Sequence, residues 1–185
     1  MLPTWKRGRG LLASRLAADA IPVDAFIMGC GEVTRVPGTA VFLTTAADAV
    51  PHALLHSMKH YKAIHDRVVL ATAKVLDVPY VPEAQRVTVE KLPNSFWRVA
   101  VHYGFMDQPN LPAALEWCAE QGLELEPMDT TYFLGRETLI PRMKSEMAFW
   151  REILFVTMFR NAGSAASYFQ LPPGRVVELG AQVVL

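Results

Sequence analysis

A run of apolar residues long enough to cross a membrane is missing from this sequence. No stretch approaches the roughly 18 uncharged residues that a span requires, and no signal-peptide pattern opens the chain. Cysteine is scarce as well. Cys30 and Cys118 stand far apart without a CxxC pairing, which argues against a zinc site or a disulfide framework and fits a reducing compartment. Charge of one sign is not in excess: 18 Lys and Arg balance 18 Asp and Glu, so no field draws the chain to nucleic acid. Phosphate loops are absent too, since neither GxxxxGK[ST] nor GxGxxG occurs and the GCG at Gly29 to Gly31 lacks a preceding strand. There is no GxSxG elbow, and neither cysteine carries a nucleophile signature. These absences leave no catalytic residue, metal or cofactor to assign, and they describe a soluble, cytosolic-type chain.

What is present is apolar. With 185 residues, 51% of them hydrophobic, the chain can build one domain with a sizeable core. A mean hydropathy of +0.18 is high for an isolated soluble domain and points to surface covered by a partner. Residues 1–34 read as a connector. Trp5, Lys6, Arg7 and Arg9 place an aromatic beside three cations, as in a segment just inside a membrane, and an amphipathic helix follows with Leu11, Leu12, Leu16 and Ile21 apolar.

Residues 35–185 read as an α/β domain with a mixed β-sheet. Thr39 to Thr44 is a buried strand, Pro51 opens a helix running through His65, and Arg67 to Val75 is a second strand, which together make a parallel βαβ unit. QRVTVEKL and FWRVAVHYGF, separated by Pro93-Asn94-Ser95, form an antiparallel hairpin. Asn110 N-caps a short helix that Gly122 stops. TYFLGRE is the next strand, Ser145 to about Gln170 reads as one long helix, and RVVELGAQVVL closes the sheet.

Two constellations could carry function. His52, His56 and His60 recur every four residues along one stripe of their helix, opposite Leu54, Met58 and Tyr61. The intervening residues lack the glutamate of HExxH, so these histidines read as structural or interfacial, with metal binding or pH sensing as the alternative. His65 reads as a hydrogen-bonded core residue. In the long helix Arg151 falls within the apolar face, and a buried guanidinium needs a partner. Glu137 in TYFLGRE is the candidate, with Gly135 allowing a bulge or close approach that re-aims the strand, so Arg136, Glu137 and Arg151 read as a structural polar lock. The competing reading makes TYFLGRE, with Tyr132, a ligand site.

Six blocks, RVPGTAVFLT, PHALLHSMKH, RVVLATAKV, TTYFLGRE, FWREILFVTMFRNA and PPGRVVELGAQVVL, resemble in order the C-terminal cytosolic region of Kup-type potassium uptake proteins. TWKRGR resembles the segment after their last membrane helix. The resemblance implies a non-catalytic regulatory and assembly domain at the cytoplasmic face of the bacterial inner membrane. It would serve a low-affinity transporter coupling potassium entry to protons, whose ion-binding residues lie in a membrane domain outside this chain. That membrane domain is the implied partner. A second copy is another, because the apolar character and the small-residue run NAGSAAS suggest a homodimer. Cyclic di-AMP sensing in relatives implies a nucleotide ligand as the alternative, and cyclase activity proposed for plant relatives implies a nucleotide-converting enzyme as a third reading.

Overall fold

The computed structural model describes residues 20–140 and 163–184, with Lys6, Gly10, Leu12 and Ser14 as isolated positions before them. In chain order the elements are α1 (Val23–Gly29), β1 (Thr34–Thr44), α2 (His52–Tyr61), β2 (Ala63–Leu76), α3 (Glu83–Arg86), β3 (Val87–Lys91), β4 (Phe96–Gly104), α4 (Leu111–Glu116), β5 (Thr130–Ile140), α5 (Ala165–Tyr168) and β6 (Val176–Val184). The six strands make one mixed sheet in the order β3-β4-β2-β1-β5-β6. Only β3 runs antiparallel, paired with β4 from Val87↔Val101 to Lys91↔Trp97 as the hairpin required. The expected βαβ unit is present as β1–α2–β2, in parallel register from Thr34↔Ala63 to Thr44↔Thr72.

A parallel sheet must be covered on both faces, and alternation along each strand supplies two apolar sides. On one face Phe42, Leu70, Phe96 and Phe133 meet Val23 and Ile27 of α1 and Ala53 and Leu54 of α2. Phe42 and Phe133 stack there with ring centroids 4.6 Å apart. On the other, Val41, Val69, Val99, Val101 and Tyr103 meet Leu111, Ala114 and Leu115 of α4. Helix α1 therefore belongs to the core although its residues sit in the segment read as a connector.

Local chemistry explains the ends. Asn110 Oδ1 accepts from the Ala113 amide at 3.0 Å, and Gly122 closes the following 3₁₀ turn at φ +86°. Gly38, at φ +108°, sits where the β1–β2 register shifts between Val36 and Thr39, and a Cβ there would stand 3.2 Å from the Asp129 carbonyl.

Four expectations change. Helix α2 ends at Tyr61 because Lys62 turns left-handed (φ 53°), so His65 lies in β2, not in a helix, and Tyr61 is exposed at the helix end. The second strand accordingly begins at Ala63. Ser145 to Gln170 is not one continuous helix in its described part: Gly163 and Ser164 are non-helical, and Ser164 Oγ accepts from the Ala166 amide at 3.2 Å to cap the single turn α5. Gly135 makes no bulge, since β5 and β6 stay in unbroken register from Tyr132↔Val176 to Ile140↔Val184, and a Cβ there would meet nothing within 4 Å.

Candidate functional site

Leaving out the antiparallel β3, the parallel strands run β4-β2-β1-β5-β6, and the direction of winding reverses between β1 and β5. In open α/β sheets such a reversal leaves a crevice at the carboxyl ends of the strands, where ligands bind. Here β1 stops at Thr44, while β2 and β4 continue together to Leu76 and Gly104, and β5 and β6 to Ile140 and Val184. The result is a notch in the carboxyl edge of the sheet, where the loop 45–50 follows β1.

That loop is built differently from a phosphate cradle. It contains no glycine. The Thr44 hydroxyl is spent locally, donating to the Ala46 carbonyl at 3.1 Å and accepting from its amide at 3.2 Å. Arg98 reaches across from β4 to donate to the Ala47 carbonyl at 3.0 Å and to Glu90 at 2.6 Å, with Asp48 at 3.7 Å. The incoming chain is stitched to the same loop. Val50 N–H donates to the Ile21 carbonyl at 2.9 Å, Val23 N–H donates to the Asp48 carbonyl at 3.1 Å, and Pro22 bridges Ala49.

The histidine stripe lies on α2, which follows this loop. His56 and His60 have ring centroids 5.1 Å apart, and His52 is the first helical residue. Among the described residues no three His, Cys, Asp or Glu side chains converge as a metal site would need. Tyr132 is a core residue on β5, in register with Val41 and Val176, and burial pushes its phenol up, helped by the charge of Glu116. Arg136 is 74% exposed and donates to Glu178 of β6 at 3.4 Å. The Glu137 side chain and Arg151 lie outside the described residues, so their pairing stands as an expectation.

A second concavity of about 520 Å³ opens at the opposite, amino edge of the sheet, where Gly38, Asp66, Arg67, Lys91, Trp97 and Asp129 line it. Lys91 Nζ sits 5.5 Å from the Trp97 ring centroid, and Arg67 donates to the Glu124 carbonyl. Nearby His65 packs edge-on against Phe133, and burial lowers its pKa against the opposing pull of Asp129 and Asp66. Charges of both signs and little apolar wall make this cleft unlike a small-molecule pocket.

Comparison with known proteins decides the family. Residues 37–185 match the family described as K+ potassium transporter C-terminal domain. The chain belongs to it. "Probable potassium transport system protein Kup 3" of Dechloromonas aromatica is 61% identical over 188 residues, and the match covers all of this chain and 30% of that protein. Kup of Aromatoleum aromaticum is 58% identical and Kup of Myxococcus xanthus 51%, each matching all of this chain and 29% of the relative. The chain thus spans less than a third of the length of these relatives. No solved structure matches it.

The family is one of transporters and not of enzymes. Among the described residues of this Kup domain no helix is long and apolar enough to cross a membrane. What sequence reasoning missed lies in two loops at the carboxyl edge, after β2 and after β4. Asp107, in the second, accepts from the Gly104 amide at 2.7 Å and the Val81 amide at 3.2 Å and pairs with Arg86 at 3.1 Å. These bonds, the Gly104 amide first, hold its carboxyl below the usual range. The signals were DVPYVP and GFMDQP, two proline-bounded segments whose apolar residues resemble strand ends.

Proposed function

We propose that this chain is the regulatory and assembly domain of a Kup-type potassium transporter, standing at the cytoplasmic face of the membrane and performing no catalysis. The stitching of residues 21–23 to the loop 45–50 carries the reading. A displacement of the chain that precedes residue 20 acts directly on the loop between β1 and α2, at the reversal point of the sheet. The transport core would therefore feel the state of this domain, and the domain that of the core, through one short backbone ladder. Residues 1–34 serve as the connector, and the domain pairs as a homodimer that biases the motion.

A nucleotide-sensing version, for cyclic di-AMP or another adenine nucleotide, draws support from one observation: the strand order with its reversal between β1 and β5. The absence of glycine from the loop 45–50 weighs against it. Potassium uptake by depleted cells carrying the full transporter tests the main reading, with and without residues 20–185. Uptake unchanged by the deletion would overturn it. Calorimetric titration with cyclic di-AMP, AMP and ATP separates the two versions, because saturable binding favours the sensor and silence favours the coupling domain.

A further inference from the structure

Among the described residues eleven large hydrophobic side chains are exposed, and seven of them belong to the carboxyl edge of the sheet. Six stand on two neighbouring segments that make up a platform. Val75 and Leu76 end β2, Val78 and Tyr80 follow it, and Phe105 and Met106 follow β4. Because β2 and β4 are parallel and in register to Leu76↔Gly104, the two loops emerge side by side. Ile21, the seventh, lies on the same edge, where the incoming chain meets the loop after β1.

The platform is rigid. Phe105 N–H donates to the Val78 carbonyl at 2.9 Å, and Met106 N–H donates to the Pro79 carbonyl at 3.0 Å. Gly104 permits the approach, since a Cβ there would stand 2.2 Å from the Pro79 carbonyl oxygen. Asp107 then ties the Gly104 and Val81 amides to Arg86, which also donates to the Val81 carbonyl at 2.8 Å. With its backbone spent this way, the structure holds Tyr80, Phe105 and Met106 outward at 60%, 61% and 56% exposure. Apolar surface carried on a preorganised backbone marks an interaction site.

We infer that this platform docks on the part of the transporter chain that precedes the domain. The inference rests on the proposed coupling role and names the surface that would carry it. Two observations choose the occupant. The family is a C-terminal domain, and more than two thirds of each relative lies outside the match, so a large preceding region exists in the proteins this chain resembles. Residues 21–23, at the N-terminal side of the described fold, pair with the loop after β1 on the very edge that carries the platform.

Size agrees with a tethered partner. A patch of this kind covers a few hundred Å², short of the roughly 800 Å² per partner of a stable free complex. A covalent link supplies an effective concentration on the order of millimolar, which makes a small patch sufficient. A lipid surface fits less well. The neighbouring charges are Lys74, Asp77, Glu83 and the Arg86–Asp107 pair, two cations against three anions, without the basic cluster that anionic headgroups reward.

The test places a photo-crosslinking benzoylphenylalanine at position 80 or 105 of the full-length transporter in cells, which keeps the platform aromatic. Positions 61 and 128, exposed at the opposite edge, are the controls. Crosslinks from 80 and 105 to the region preceding the domain, at least about tenfold above the controls, are expected. Crosslinks to the same domain of a second copy, to lipid, to another protein, or to nothing would overturn the inference. Potassium uptake measured on the same cells keeps the outcomes apart. If uptake is indifferent to the domain while the crosslinks form, the coupling role fails and the docking stands. If uptake depends on the domain while the crosslinks are absent, coupling runs through the backbone ladder alone.

Discussion

At the scale of single residues, Gly104 and Asp107 decide how the carboxyl edge closes. Replacing Gly104 by Ala drives a methyl into the Pro79 backbone, which cannot swing aside as a flexible side chain would. The expected loss is about 1–3 kcal/mol or more, and for a chain of this size each kcal/mol lowers the melting midpoint by about 2–4 °C. Gly29→Ala is the control, because a Cβ there meets nothing within 4 Å. Asp107 predicts a pH dependence. Its folded pKa is depressed, chiefly by the Gly104 amide, so its contribution is complete above the unfolded value near 3.9 and is lost as the pH falls from there through the lower folded value. Thermal melts should fall more steeply on acidification in the parent than in Asp107→Asn, and equal acid limbs would refute the assignment. Neither role was legible in the sequence. A glycine between Tyr103 and Phe105 reads as a strand end, and the contact that forbids a Cβ comes from Pro79, which only the β2–β4 register brings beside it.

Among elements, those whose signals are local were legible and those set by tertiary pairing were not. The hairpin and the helix from Asn110 to Gly122 carry their own turn and cap chemistry. The end of α2 does not: KAIH continues the helical spacing, yet pairing with Thr34 to Val36 draws residues 63–65 into β2. Of the candidate site, the histidine stripe was readable as a stripe, whereas the burial of Tyr132 follows from its place between β1 and β6. Another device invisible to spacing guards an edge. Gln121 mimics a neighbouring strand, accepting from the Val89 amide at 3.0 Å and donating to the Val87 carbonyl at 2.9 Å on the outer side of β3. Open strand edges invite pairing with other chains. Gln121→Ala should therefore cost about 0.5–1.5 kcal/mol per bond lost and raise light scattering of the concentrated protein. Faster hydrogen exchange at the Val89 amide would report the opened edge, and unchanged exchange would show that the amide is protected by something other than Gln121.

For the molecule as a whole, the question is where the independently stable unit begins. The family match starts at residue 37 and the connector was read as residues 1–34, yet identity with the relatives extends over the entire chain. Packing gives the reason. Val23, Ile27 and Cys30 are 1–2% exposed and lie against Phe42, Phe96 and Leu54, and α1 is held at its start by the ladder to the loop 45–50. Asn94 adds a side-chain bond from the β3–β4 turn to the Ile27 carbonyl at 3.0 Å, fastening the helix at its other end. Cutting the chain at residue 35 uncovers one face of the sheet, and at about 1.5–3 kcal/mol for each buried Val or Ile the loss is roughly 3–6 kcal/mol. Set against a total stability of about 5–15 kcal/mol for an ordinary domain, that is enough to leave the product marginal. A protein starting at residue 20 should melt in one cooperative transition, while one starting at residue 35 should melt well below it or bind the dye ANS as a loosened core does. Equal melting of the two would show that α1 is only docked. Unequal melting would mean that residues 20–34 are a wall of the core, so that, in the coupling role proposed above, any pull on the connector is a pull on the sheet.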